Sequence, residues 1–272
     1  MQHAGYRDLP GVNWSTLKHL RVSPLHYRYA IENPREDSDA LAIGRLTHAL
    51  VFEPDTVALN YAIWTGDQRR GKEWNAFKAE HEGITIVKAD DVDNATAMAE
   101  AVRRHPLVRP YLDGGRFERP IQWVDRKTGI PCKGLLDWHH SRRRALVDLK
   151  TTRTIDAHRF GNIAHALGYP GQLAHYFDGL ETLGERPIEV MIVAVENVAP
   201  FDVAVFELDD EALQYGLDER DRLLATLAEC MASDVWPGRY TERRALKLPG
   251  WLFLDEDDEN PDTFGVHFGE AS

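Results

Sequence analysis

Only two cysteines occur in the 272 residues, Cys132 and Cys230. They are far apart and make no CxxC pair, so the chain has neither a disulfide framework nor a thiol redox motif. The same count excludes a four-cysteine iron–sulfur cluster. No GxxxxGK[ST] loop occurs, so no nucleotide cofactor and no nucleotide-driven motor are expected. No apolar run approaches the roughly 20 residues that cross a bilayer. The opening "MQHAGYRDLPGVNW" has neither a basic nor an apolar signal region, which predicts no secretory leader and a reducing, cytoplasmic setting. An excess of base is lacking too: 44 acidic residues face 32 basic ones, for a net charge of −12. That argues against a protein that coats nucleic acid. It leaves room for an enzyme that meets a polyanion through a local basic groove. Part of the acidity lies in "LDEDDENPD" near the C-terminus, a charge run expected to be a solvated loop or tail.

What is present is ordinary for a globular chain, with 43% hydrophobic and 28% charged residues. There is no internal repeat and no Gly/Ser-rich linker, so one domain over 1–272 is expected. It divides into a helical part (about 1–110), a sheet core (about 111–210) and a C-terminal helix with an acidic tail (about 211–272).

"NWSTLKHLRVSPLHYRYAIEN" predicts a helix from Asn13 or Ser15, interrupted near Pro24 and resuming to Tyr29, with Trp14, Leu17, Leu20, Leu25 and Tyr29 apolar. A second helix is expected from Ser38 to Phe52, stopping before Pro54, with Leu41, Leu46, Ala49 and Leu50 buried. A third covers Ala89 to Arg104. From Arg116 the period changes, and "RFERPIQWVD", "GIPCKGLLDWHH" and "RRALVDLKTT" predict an antiparallel meander. Asp156 to Gly184 reads as helical, broken near Gly168. "IEVMIVAVEN" and "FDVAVFEL" predict a strand and its hairpin partner, before a long amphipathic helix from "DDEALQ" onward. The order implies an α/β domain with a mixed central sheet flanked by helices.

Inside the meander, "GLLDWHHSRRRALVDLK" sets Asp137, Asp148 and Lys150 among residues that favour burial. Side chains in a strand alternate, so Asp148 and Lys150 share a face, and the turn between the strands brings Asp137 close. Two carboxylates converging at strand ends can bind a hard divalent cation. A lysine beside it can orient a water or stabilise charge developing on a phosphate. Taken alone, an Asp-x-Lys on a strand is also what an exposed edge ion pair looks like.

The joint pattern resembles the PD-(D/E)XK nuclease superfamily, in particular its RecE/RecB-type exonucleases of phage and prophage. There Gly-x-x-Asp on one strand is followed by Asp-x-Lys on the next and Gln-x-x-x-Tyr on a helix. Here these are "GLLDW", "LVDLKT" and "YPGQLAHYF", and "GRLTHALVFEP" supplies the helical histidine of that family. The resemblance runs in order from about Asn13 to Tyr176. It implies a restriction-endonuclease-like core, with His48, Asp137, Asp148 and the Leu149 carbonyl as ligands of Mg²⁺ or Mn²⁺. Lys150 would position the attacking water, and Gln172 and Tyr176 would contact the scissile strand or order the site. By residue type alone, His48 would be a core histidine and Tyr176 a core aromatic. Two departures stand out: Leu135-Leu136 replaces an Arg-Pro common in relatives, and Asp148 stands where Glu is commoner.

The function implied is an ATP-independent, metal-dependent exonuclease acting on double-stranded DNA ends, digesting one strand 5′ to 3′. The single strand left behind would serve a phage-type annealing protein in recombination, and a ring-shaped homo-oligomer is also implied. An endonuclease or repair nuclease with the same core, or a non-catalytic DNA-binding protein that kept the fold, are the alternatives. Arg45, Arg69, Arg70, Lys72, Lys133 and Arg142 to Arg144 are candidate phosphate contacts, with "GDQRRGKEW" as a mobile guiding loop. His139-His140 lies beside Asp137 but lacks zinc-ligand spacing.

Overall fold

The computed structural model describes residues 5–6, 8–34 and 39–249. Residues 1–239 belong to one compact unit, and the described residues 240–249 outside it form neither helix nor strand. The acidic run near the C-terminus lies outside the described residues.

Capping residues set the helix starts. Asn13 accepts from the Thr16 N–H at 2.9 Å and opens a single turn, Trp14–Leu17, followed by a 3₁₀ turn at Lys18–Arg21. Ser23 then caps a new helix, α1 (Pro24–Glu32). The 3₁₀ turn and the fresh cap reset the helical phase. Tyr27 is therefore buried, while Leu25 and Tyr29, expected to be apolar contacts, are 51% and 66% exposed. The longer helices that follow among the described residues are α2 (Asp39–Phe52), α3 (Gly71–Glu80), α4 (Ala89–Arg104), α5 (Ala157–Leu167), α6 (Tyr169–Thr182) and α7 (Asp210–Ser233). On α2, Leu46 is fully buried but Leu41, expected inside, is exposed. Gly168, at φ 77, turns the chain between α5 and α6, a conformation glycine adopts without steric cost.

Two short strands, β1 (Tyr61–Trp64) and β2 (Thr85–Lys88), pair in parallel around α3. Part of the expected "GDQRRGKEW" loop is thus helical, from Gly71 onward. The main sheet comprises β3 (Arg116–Val124), β4 (Pro131–His140), β5 (Ala145–Thr152), β6 (Glu189–Glu196) and β7 (Val203–Glu207), in spatial order β3-β4-β5-β6-β7. Every pair is antiparallel except β5 with β6, which α5 and α6 connect. This is the mixed sheet flanked by helices that the sequence implies.

The sheet separates two cores. Along β5 and β6 the alternation is regular: Leu146, Val190, Ile192 and Ala194 face the core shared with α6 and α7. Val147, Leu149, Met191 and Val193 face the core shared with α2 and α4. In β3 and β4 the alternation reverses. Ile121, Trp123, Cys132 and Leu136 belong to the first core, yet Phe117 and Trp138, of matching parity, belong to the second. Between them stand Glu118, whose φ is 46, and Asp137, the two positions that the β3–β4 register skips. A left-handed non-glycine residue inside a strand re-aims the side chains around it, at a cost of about 1–3 kcal/mol.

Candidate active site

The pairing of β4 with β5 is short. It covers Trp138 to His140 against Ala145 to Val147, and stops before Asp137. Asp137 and Asp148 therefore do not lie at strand ends, as the sequence implied; they lie within the strands, where the ladder parts. The Asp137 Oδ2 accepts from the Leu149 N–H at 3.0 Å, so a carboxylate takes over a bond the ladder no longer supplies. Asp148 and Lys150 share a face, and the Lys150 Nζ is 2.5 Å from the Asp148 Oδ2. The other Asp148 oxygen accepts from the Gln172 Nε2 at 3.2 Å, and the same amide donates to the Tyr176 hydroxyl at 3.2 Å. The i, i+4 spacing on α6 thus acts as one unit, with Gln172 positioning Asp148 and Tyr176 holding Gln172.

Two glycine and aromatic contacts complete this wall. A Cβ at Gly134, the glycine of "GLLDW", would lie 2.8 Å from the Tyr176 ring. The glycine lets that ring lie directly on β4. On the other side, the Tyr169 ring lies 4.9 Å from the Lys150 Nζ, a cation–π contact. From α2, His48 brings its Nδ1 to 3.6 Å from the Asp137 Oδ2, its ring edge set against Phe52. Phe52 in turn packs on Phe117 and Trp138. An unbroken chain of contacts therefore links His48, Asp137, Leu149, Asp148, Lys150, Gln172 and Tyr176.

Electrostatics follow from burial. Desolvation pushes the Asp148 carboxyl up to about 6; the Asp137 charge adds to this, and Lys150 opposes it. Asp137 is raised for the same first reason, with Lys150 and the Leu149 N–H opposing. For Lys150, burial lowers the pKa, but Asp148 and Asp137 outweigh it and hold the ammonium at about 12. Its two carboxylate neighbours thus keep Lys150 charged at neutral pH in the metal-free protein.

One site residue escaped the sequence pattern. Glu118 is 7% exposed, and burial followed by the Asp137, Glu53 and Asp148 charges pushes its carboxyl up to about 8. One ligand atom each of His48, Glu118 and Asp137 lie within 4.8 Å of one another. No sequence signal marks it: Glu118 shares the parity of the exposed Arg116 and Gln122 in an alternating strand, so the pattern places it outside. Tyr169, whose ring lies against Lys150, also stands outside the sequence pattern.

The structure ties several of the basic candidates to backbone carbonyls. Lys133 is buried, and its ammonium donates to the Leu9 carbonyl at 2.6 Å and the Tyr6 carbonyl at 3.3 Å, which ties down the N-terminal segment. Arg144 donates to the Arg186 carbonyl and Arg69 to the Ile86 carbonyl. Lys72, Arg142 and Arg143 are exposed. His139 and His140 are buried and bonded to Arg119 and the Asp113 carbonyl, so they form no zinc site. Burial pushes the Cys132 thiol up to about 12, as for an inert core residue.

Residues 13–247 match the family described as a PDDEXK-like domain of unknown function (DUF3799). The chain belongs to this PDDEXK-like family. A crystal structure of a "Putative exonuclease" from Eubacterium rectale matches with a TM-score of 0.59 at 15% identity, over 91% of this chain and 92% of that one. At that identity the likeness establishes the fold. A phage related exonuclease from Haemophilus somnus 129PT matches with a TM-score of 0.34 at 12% identity, over 84% and 99% of the two chains. No curated protein matches the sequence. Among the described residues no helix is long and apolar enough to cross a membrane.

Within the matched residues, Asp148 and Lys150 lie on β5, just beyond the parting of the ladder. Buried carboxylates and an imidazole converging on one space are a donor set that fits a hard or borderline divalent cation.

Proposed function

We propose that the protein is a Mg²⁺- or Mn²⁺-dependent, ATP-independent exodeoxyribonuclease that hydrolyses double-stranded DNA from its ends, 5′ to 3′. The observation that carries this reading is the junction of Asp137, Asp148 and Lys150 at the parting of β4 and β5, with Gln172 bonded to Asp148. His48, Asp137, Asp148 and the Leu149 carbonyl would hold the metal. A bound divalent cation supplies Lewis acidity at the phosphate and lowers the pKa of a water.

The chain's own residues do the rest. Lys150, kept charged by its two carboxylate neighbours, orients the water against the phosphorus and offsets charge on the phosphate oxygens. Gln172 holds the Asp148 carboxylate in one orientation, and Tyr176 fixes Gln172 from α6. Tyr169 bounds the space in which the ammonium can move. The E. rectale protein, described as a "Putative exonuclease", favours end-directed cleavage over internal cutting in this reading. The single strand produced would be the substrate of an annealing partner in phage-type recombination, within a bacterial or phage-infected cytoplasm. A homo-oligomeric ring belongs to the same reading.

Linear and covalently closed circular duplexes, incubated in parallel with Mg²⁺, test it. Loss of the linear form with survival of the circle is expected. Cleavage of the closed circle would overturn the exonuclease assignment.

A further inference from the structure

We infer that Lys133 is a positioning residue of the nuclease site, acting through the N-terminal strap (residues 6 and 8–13) that it fastens beside α6. This deepens the nuclease reading and rests on it. A strand has two edges, and β3 pairs along one edge of β4 from Pro131 to His139, apart from Asp137. On the other edge β5 pairs only with Trp138 to His140. Farther along that same edge, Val12 takes the place that β5 has left. Its N–H donates to the Pro131 carbonyl and its carbonyl accepts from the Lys133 N–H, both at 2.9 Å. Residues 134–137 between them border the crevice where the pairing is broken, with Asp137 at one end and Lys133 just past the other.

Lys133 ties strap, sheet and helix together at that end. Its ammonium donates to the Leu9 carbonyl at 2.6 Å and the Tyr6 carbonyl at 3.3 Å, and lies 5.1 Å from the Tyr6 ring. Its own carbonyl accepts from the His175 Nε2 at 3.2 Å. His175 precedes Tyr176 on α6, and the Tyr176 ring lies on Gly134, the residue after Lys133. The strap is pressed on the sheet elsewhere too. The Gln122 amide donates to the Pro10 carbonyl at 2.9 Å, and a Cβ at Gly11, whose φ is 126, would lie 2.9 Å from the Cys132 carbonyl carbon. Burial raises the Tyr176 hydroxyl pKa, and Asp137, Asp148 and Tyr6 add to it, so strap and site bear on one group. A run of contacts thus leads from Lys133 to Tyr176, Gln172 and Asp148. Burial also lowers the Lys133 pKa. An ammonium kept there against desolvation fastens a backbone whose carbonyls an apolar side chain would leave unmet.

Lys133→Met tests this, since it keeps the stem and the backbone bonds but removes the donors. Hydrolysis of end-labelled linear duplex with Mg²⁺, well below the melting temperature, gives kcat and KM. Duplex binding in chelator gives the slope of log K against log salt concentration. The variant should lose about 10- to 10²-fold in kcat, with KM and the salt slope as in the wild type. A phosphate contact would instead raise KM and reduce the slope by about one unit, with kcat kept. That result, or a lower melting temperature with wild-type kcat, would overturn the inference and leave the nuclease reading intact. No hydrolysis by the wild type would bring down both. Should Lys133→Met fail to fold, Tyr6→Leu decides, because it lifts the ring from the ammonium and leaves the charge in place. A lower kcat at unchanged salt slope supports the inference, and wild-type kcat overturns it.

Discussion

The Asp137 Oδ2 accepts from the Leu149 N–H at 3.0 Å, at the point where β4 and β5 cease to pair. One carboxylate thus closes a gap in the ladder and stands beside His48 and Glu118. Its structural and chemical duties separate on substitution. In Asp137→Asn the amide oxygen can still accept from Leu149, and a desolvated carboxyl is replaced by a neutral group. Nuclease activity should fall about 10²–10⁴-fold. The melting temperature of the metal-free protein should hold or rise by about 2–4 °C, the effect of ~1 kcal/mol in a chain of this size. Paired nuclease and melting assays check this; a large loss of stability would show that the carboxylate's role is structural.

Gly134 owes its identity to Tyr176. In Gly134→Ala the new Cβ would sit 2.8 Å from the Tyr176 ring, which must shift and take its hydroxyl from Gln172. Displacements of about 1 Å in positioning groups cost up to about 10²-fold in rate. A rate loss of that order, with metal affinity kept, is expected from kinetics and Mn²⁺ titration. Wild-type activity would separate Tyr176 from the site's function.

The buried carboxylates set a pH dependence for the metal-free protein. The folded-state pKa of Glu118 is about 8, above its ordinary value near 4.5, and that of Asp148 is about 6, above 3.8. Between those limits the folded chain holds more protons than the unfolded one, so stability falls as pH rises. The stabilisation is complete below about pH 4 and is lost through about pH 8. Thermal melts in chelator should therefore show a melting temperature that declines from pH 5 to pH 8.5. Glu118→Gln should flatten the slope, and saturating Mn²⁺ should oppose it. A melting temperature that rises with pH in chelator would contradict the burial argument.

Away from the crevice, Arg220 is 1% exposed and bridges Asp125 at 2.6 Å and Asp178 at 2.7 Å, joining α7 to the β3–β4 turn and α6. Arg220→Met leaves two carboxylates facing each other without their cation. A loss of about 3–5 kcal/mol is expected. Chemical denaturation of the variant measures it, and nuclease activity well below the melting transition should be kept.

Much of this architecture is legible in the sequence because local chemistry dictates it. Asn13, Ser23, Asp156 and Asp209 cap the helices they precede, and Gly168 breaks α5 from α6. Asp137, Asp148 and Lys150 stand out because charges in apolar strands need a reason. What could not be read depends on distant contacts. The 3₁₀ turn before Ser23 moves burial from Leu25 and Tyr29 to Tyr27. The strands β1 and β2 are four residues each, too short for a period to register. Lys133 looks like a phosphate contact until its acceptors, the Tyr6 and Leu9 carbonyls, fold over it. Glu118 enters the site only because its φ of 46 reverses the faces of β3, a conformation its residue type does not announce.

The central claim is that this crevice hydrolyses DNA with Lys150 as the fixed cation beside Asp148. End-labelled linear duplex, incubated with Mg²⁺ and wild-type or Lys150→Ala protein, tests it most directly. The account predicts release of the 5′ label ahead of the 3′ label by the wild type, abolished by chelator and reduced about 10²-fold or more in Lys150→Ala. Undiminished hydrolysis by Lys150→Ala would contradict it.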